Sequence, residues 1–224
     1  NTAMGYRALH NLNAGANAYN VAIGADAGLL VTTGTGNTIV GGQAGEALTS
    51  GISNEAFGRR ALRRATTANY NTAMGTEALR TNILSNRNVA IGFQSLFAHN
   101  TGSAVDAYNT AIGFKAGHLV TTGVQNTIIG GLAGDAITIG RFNTALGYNS
   151  LSANILTDRN TALGYGTLAS LVGDGSTNNQ TTYNVAVGHN AGNLMTTGVK
   201  NTLIGSLAGD ALTTGIDNVA LGYT

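Results

Sequence analysis

The sequence predicts an all-β fold, a parallel β-solenoid or β-roll of about 13 coils. Three observations carry this: a 17-residue repeat runs along the chain, each repeat opens on Asn with Gly at its fifth position, and proline is absent. The pattern N-x-(A/I/L)-(apolar)-G begins at Asn1, Asn20, Asn37, Asn54, Asn71, Asn88, Asn109, Asn126, Asn143, Asn160, Asn184, Asn201 and Asn218. Nine of the twelve intervals are 17 residues, and the others, 19, 21 and 24, place insertions of 2, 4 and 7 residues in the coils 1–19, 88–108 and 160–183. Such a unit is too short for two helices and a turn, has no apolar period near 3.6, and carries glycines that cost a helix about 1 kcal/mol each. Two strands of four or five residues and two turns fit it, and coils stacked about 4.8 Å apart give a rod roughly 60 Å long.

Counting each Asn as position 1, the elements follow in order. The Asn is expected to turn its amide along the stacking axis, bonding the backbone or the next Asn, and the Gly at position 5 to take a positive-φ corner or admit a neighbouring backbone. This ladder is represented by Asn20 and Gly24, Asn37 and Gly41, Asn126 and Gly130, and Asn201 and Gly205. Position 4 is always apolar, position 8 is Ala, Ser or Thr, position 9 is Gly or Leu, and positions 12 to 15 often read apolar-Thr-Thr-Gly, as in Val31-Thr32-Thr33-Gly34. Positions 3 and 8 supply a thin interior, so the larger residues at positions 4 and 12 are expected to need cover from another chain. A cyclic trimer about a fibre axis would provide it.

Charges test the register. Residues 17 apart should lie one above the other, and Glu46 and Arg63, Arg60 and Glu77, Arg141 and Asp158, and Lys200 and Asp217 are so spaced. Arg7 with Asp26 and His118 with Asp135 share coil positions as well, whereas Arg63 over Arg80 stacks like charges. The Arg59, Arg60, Arg63 and Arg64 cluster suggests a phosphate or glycan patch, but this pairing makes a solvated structural face the stronger reading. A longer repeat overlies the coils: N-V-A-I-G-A-D-A-G-L-L-V-T-T-G at Asn20 recurs with variation at Asn109 and Asn184, each time after a lengthened coil. The array starts inside one repeat and stops part-way through another, which predicts a segment of a longer fibre.

The N-(T/V)-A-(I/L)-G-x-x-A run resembles repeats of bacteriophage tail-fibre proteins and, more loosely, the N-S-V-A-I-G repeats in heads of trimeric autotransporter adhesins. The 17-residue period and Thr or Val at position 2 depart from the adhesin pattern. The resemblance implies a homotrimeric, extracellular or virion-borne fibre that attaches to a host-surface glycan or protein, with the bacterial adhesin head as the alternative.

Other chemistries find little support. A net charge of +1 with 9% charged residues gives no footprint for nucleic acid, no apolar run is long enough for membrane insertion, and the absence of cysteine excludes disulfides and thiolate metal sites. Phosphate-loop and calcium-loop signatures are missing, Gly164-Tyr165-Gly166-Thr167-Leu168-Ala169 fits G-x-G-x-x-A only as part of the coil, and the four histidines are dispersed. No catalytic residue, metal site or cofactor is therefore expected. A threonine column at position 13, including Thr32, Thr49 and Thr66, raises an ice-binding solenoid, but Ile83 and Ile155 interrupt it. Loops on a regular scaffold are where binding concentrates, so receptor contacts are expected at Tyr19, at His99, Asp106 and Tyr108, and at Asp174, Asn179 and Tyr183. Most aromatics flank the N-x-x-x-G strand, at position 6 or just before an Asn, and could stack on sugars or seal turns and chain interfaces.

Overall fold

The computed structural model describes residues 1–15, 17–176 and 178–223. They contain strands, turns and bends and no helix, and they divide into two compact units, 1–109 and 110–224. Each unit is a parallel β-solenoid whose strands occupy positions 2 to 4 of successive coils. In the first unit these are β1 (Thr2–Met4), β2 (Val21–Ile23), β3 (Thr38–Val40), β4 (Glu55–Phe57), β5 (Thr72–Met74) and β6 (Val89–Ile91). Each pairs in parallel with the next, Ala3 opposite Ala22 and Ala22 opposite Ile39. In the second unit β7 (Thr110–Ile112), β8 (Thr127–Ile129), β9 (Thr144–Leu146), β11 (Thr161–Leu163), β13 (Val185–Val187), β14 (Thr202–Ile204) and β15 (Val219–Leu221) stack likewise. There β10 (Thr157–Asp158) and β12 (Gln180–Thr181) form a separate two-stranded parallel pair. The 24-residue interval does not disturb the main register: Ala162 faces Ala186 as Ala145 faces Ala162.

Strands of the main stacks are three residues long, shorter than expected, because positive φ bounds them on both sides. The residue before each Asn is left-handed, as at Tyr70 (φ 58°) and Arg87 (φ 60°), and the Gly at position 5 has φ between 124° and 138° in every coil. At that Gly both proposed reasons hold together. A Cβ on Gly58 would meet the carbonyl carbon and oxygen of Gly75 at 2.7 Å, and its φ of 125° is one that side chains rarely adopt.

The second strand expected at positions 12 to 15 is not a general feature. Thr32, Thr33 and Gly34 direct their N–H groups to one carbonyl, that of Thr49, at 2.9, 3.3 and 3.2 Å, and a shared acceptor cannot make a ladder. Between the two sides, positions 7 and 9 are left-handed and alternate residues split their hydrogen bonds. Leu9 and Asn11 donate to the next coil at Ala27 and Leu29, while Ala8 and His10 donate back to Gly5 and Arg7. With N–H groups so widely committed, proline has few tolerable positions.

Position 12 is an inward column, which corrects the expectation that it needs external cover: Val31, Leu48, Val120, Ile137, Leu171 and Met195 are fully buried. It shares space with position 9. Coils with Gly at 9 carry a large apolar residue at 12 (Gly28 with Val31, Gly45 with Leu48, Gly134 with Ile137), and coils with Leu at 9 mostly carry a small or polar one (Leu62 with Ala65, Leu79 with Asn82, Leu151 with Asn154). A Cβ on Gly134 would lie 2.8 Å from Ile137 Cδ1. A left-handed Leu costs about 1–2 kcal/mol, against about 1.5–3 kcal/mol gained by burying it, so either filling is viable provided the total volume is held.

Two substitutions separate these constraints. Gly58→Ala should destabilise the first unit by about 1–3 kcal/mol or more in urea unfolding, whereas Gly42→Ala, whose Cβ would meet nothing closer than 4.0 Å, should be nearly neutral. In a double-mutant cycle Leu62→Gly should cost about 2–5 kcal/mol and Ala65→Val about 1–3 kcal/mol alone, while the pair, which reproduces the Gly28 and Val31 filling, should cost less than the sum.

Candidate functional site

The Asn ladder lies inside the coils, with Asn20, Asn37, Asn54, Asn71, Asn88 and Asn109 fully buried in the first unit and Asn126, Asn184 and Asn201 in the second. Asn37 Oδ1 accepts the backbone N–H of Asn54 at 3.0 Å and its Nδ2 at 3.0 Å, while Asn37 Nδ2 donates to Asn20 Oδ1 and to the Gly51 carbonyl. Asn126 and Asn201 likewise donate to the carbonyls of Gly140 and Gly215. These amides are structural and unavailable to a ligand.

What remains for recognition lies outside. Positions 2, 4 and 6 form an outward face: Thr or Val at position 2, an aliphatic or Phe at 4, and an aromatic or short residue at 6, interrupted by Glu55 and Arg59 in the coil that starts at Asn54. In the first unit Met4, Ile23 and Met74 are exposed, and in the second Leu146, Leu163, Ile204 and Leu221. Beside them in the second unit the position 6 rings of Tyr148, Tyr165 and His189 form a continuous stack, with centroids 5.6 and 5.2 Å apart.

The lengthened coils place the expected receptor residues unequally. Tyr19 stands well out from the surface, left-handed and 74% exposed. Asp106 and Tyr108 come together around a residue absent from the expected set: Arg87 pairs with Asp106 at 2.9 Å and lies between the rings of Tyr70 and Tyr108, 5.1 and 5.7 Å from their centroids. Tyr108 Oη donates to Asp106 Oδ2 at 3.4 Å, and Asn86 Nδ2 reaches Asp106 Oδ1 at 3.2 Å. His99 does not join them. It occupies position 12, where the side chain turns inward, and is fully buried, which removes it from any surface that a receptor could meet.

Asp174 and Asn179 share one loop but serve it internally. Asp174 Oδ1 accepts from Gln180 Nε2 and from the Ser176 N–H, and Asn179 Nδ2 donates to the Ile139 carbonyl at 3.0 Å. Tyr183 closes the coil against Arg159, whose guanidinium lies 4.8 Å from the Phe142 ring centroid and 5.7 Å from that of Tyr183 and donates to Thr181 Oγ1. Each unit therefore has an aromatic–Arg–aromatic column at the end of a lengthened coil, each cation–π contact worth about 0.5–1 kcal/mol. The clue in the sequence is a cation just before one Asn, with an aromatic just before the Asn of the coil on either side.

The ion pairs follow the expected register in Arg7–Asp26, Arg63–Glu46, Arg60–Glu77 and Arg141–Asp158. Lys200 and Asp217 do not pair among the described residues. Burial pushes the Asp158 carboxyl above its ordinary range, opposed by the Arg141 amide and guanidinium. Asp135 is raised by burial too, with its own backbone and His118 opposing. Glu77 is lowered, first by the Gln94 amide donating to it at 2.9 Å and then by the charges of Arg80, Arg59 and Arg60. The position 13 threonine hydroxyls are committed as well, Thr32 to the Thr49 carbonyl and Thr49 to that of Thr66.

Among the described residues no group of three or more His, Cys, Asp or Glu is placed to hold a metal ion, and no helix is long and apolar enough to cross a membrane. No protein-family model matches the chain, nor does any curated protein or solved structure at a significant level.

A carboxyl lowered in the fold stabilises it above the ordinary value of 4.5, and that contribution is lost as pH falls through the lower native value. Glu77→Gln should therefore lower the melting temperature at pH 7, with the gap to the parent chain closing on acidification below that range.

Proposed function

We propose that the chain is a non-enzymatic segment of an extracellular or virion-borne attachment fibre, of the kind found in bacteriophage tail fibres and trimeric adhesin heads, and that it works as an assembly of identical copies. The apolar face at positions 4 and 6 carries this reading. A chain whose polar groups are consumed so fully in stacking leaves an aliphatic column at position 4 facing outward in each unit, flanked in the second by the Tyr148, Tyr165 and His189 rings. Contiguous exposed apolar surface of that kind marks an interface. A second copy of the same repeat supplies a strip of matching period, and cyclic symmetry covers all copies equally. The apolar residues of position 12 are buried and add nothing to this surface, which consists of position 4, the aromatics beside it and position 2, Thr or Val except at Glu55. The lengthened coils then offer their aromatic–Arg–aromatic columns and polar loops to a host-surface glycan or protein.

Sedimentation of the chain should give a trimer. Replacing Leu146, Leu163 and Ile204 together with Lys should return it to monomer with the far-UV spectrum unchanged. A parent chain that sediments as a monomer across the micromolar range overturns the assembly.

A further inference from the structure

One cluster in the first unit is not explained by stacking. Arg63 and Arg80 share position 10 on adjacent coils, and Arg64 stands beside Arg63 at position 11. With Glu46, Ala47 and the paired Leu29 and Leu30 they line a groove of about 420 Å³. Arg63 is matched by Glu46. Arg64 is exposed and forms no ion pair among the described residues. Arg80 has only a distant share of Glu77, 3.9 Å from its Nε, and the same carboxylate faces Arg60 at 3.6 Å and Arg59 at 4.0 Å. The Arg80 Nε is shielded from solvent with no hydrogen-bond acceptor. Its guanidinium leans over the Phe97 ring, 5.3 Å from the centroid.

Five arginines thus face two carboxylates, Glu46 and Glu77, in a chain whose net charge is +1. Like charges stacked on neighbouring coils repel, and Gln or Thr would serve a solvated coil face equally well. An anion lying along the groove removes that cost. Guanidiniums give forked, charge-assisted hydrogen bonds to oxyanions, and they repeat here at the coil spacing. Leu29 and Leu30 at the far side offer an apolar surface, Leu30 being 40% exposed, of the sort a sugar ring packs against and a bare inorganic ion does not need.

We propose that this groove binds an anionic polysaccharide, with carboxylate or sulfate groups taken by Arg64 and Arg80 and ring faces by Leu29 and Leu30. This names the ligand class for the attachment reading above and rests on it, but locates the contact on a coil face in place of a lengthened loop.

The test uses the whole chain with heparin, polygalacturonate, dextran and a DNA duplex. The parent should bind heparin or polygalacturonate in a strongly salt-dependent manner and leave dextran unbound; which polyanion binds tighter separates sulfate from carboxylate. R64Q/R80Q should weaken that binding by about tenfold or more, while the charge-matched K115Q/K200Q stays within about twofold. The far-UV spectrum of R64Q/R80Q should be unchanged. Three results overturn the groove: equal losses in both variants, no loss in R64Q/R80Q, or duplex DNA bound as tightly with the same arginine dependence. If no polyanion binds but capture of a neutral-glycan array is abolished by shortening coil 160–183 to 17 residues, the groove is overturned and the attachment reading stands. If neither binds, both fall.

Discussion

The structure depends on the saturation of one side-chain amide. A primary amide has two donor hydrogens and an acceptor oxygen with two lone pairs, and Asn37 uses all four: Oδ1 takes two N–H groups from Asn54, and Nδ2 gives one hydrogen to Asn20 and the other across its own coil to Gly51. No other residue of that size does this. Asp lacks the donors, Ser and Thr have one, and Gln would push the amide a methylene further into a thin interior. The ladder runs through buried space, where an unpaired donor or acceptor costs about 1–3 kcal/mol, so the arrangement has no cheap partial version. It fixes the rise between coils and braces each coil across its width. That spacing in turn brings the position 5 backbones so close that only Gly fits.

The same interaction explains where coils can lengthen. Asn37, Asn126 and Asn201 brace to the carbonyl 14 residues later, which ties the strand to the opposite corner. In the two longest coils that brace is not made, and what remains is the contact to the carbonyl two residues back, which Asn54 and Asn71 make in addition to their braces. Asn88 Nδ2 donates to the Asn86 carbonyl at 3.1 Å and Asn160 Nδ2 to the Asp158 carbonyl at 3.2 Å, while Thr182 Oγ1 reaches round to Asn160 Oδ1 at 2.7 Å. Released from the brace, the chain extrudes its extra residues and rejoins in register, Thr161 opposite Val185. An insertion before the corner would break the brace and the core filling together. Variation is therefore channelled to one side of the coil, where loops can change without cost to the stack.

The sequence made much of this legible because a repeat reports geometry by recurrence. The Asn and Gly columns, the period and most of the in-register charges, Lys200 and Asp217 excepted, are legible because each is a contact between residues a fixed distance apart. What escaped were interactions that trade between columns or cross an insertion. Position 12 looked like an outward apolar stripe because its alternation with position 9 was not read; taken together, Gly28 with Val31 and Leu62 with Ala65 are two fillings of one space. His99 looked like a loop residue because a four-residue insertion follows it, yet it still occupies the inward position 12. Arg87 and Arg159 were missed for the converse reason. Their aromatic neighbours Tyr108 and Tyr183 lie 21 and 24 residues on, outside the 17-residue period, although each stands just before an Asn as Arg87 and Arg159 do. The second strand failed on hydrogen-bond geometry, which Val-Thr-Thr-Gly does not declare: three N–H groups converge on one carbonyl.

Charge economy ties fold to function. Most cations have a specific structural partner in the coil above or below: Arg7 has Asp26, Arg141 has Asp158, and Arg159 has two rings and a hydroxyl. Asp158 shows why a carboxyl set inside the coil needs such a partner, since burial pushes it up even beside Arg141. Against such economy, an arginine stack short of carboxylates is costly to keep. Surface pairs are worth at most about 1 kcal/mol each, so Glu46 and Glu77 cannot offset five guanidiniums by stability alone. A solenoid that spends its amides, hydroxyls and backbone on itself has few groups to spare for another molecule. The aliphatic strip at position 4 and the guanidiniums of Arg64, with no ion pair among the described residues, and of Arg80, with only a share of Glu77, are two places where the stack leaves chemistry facing out.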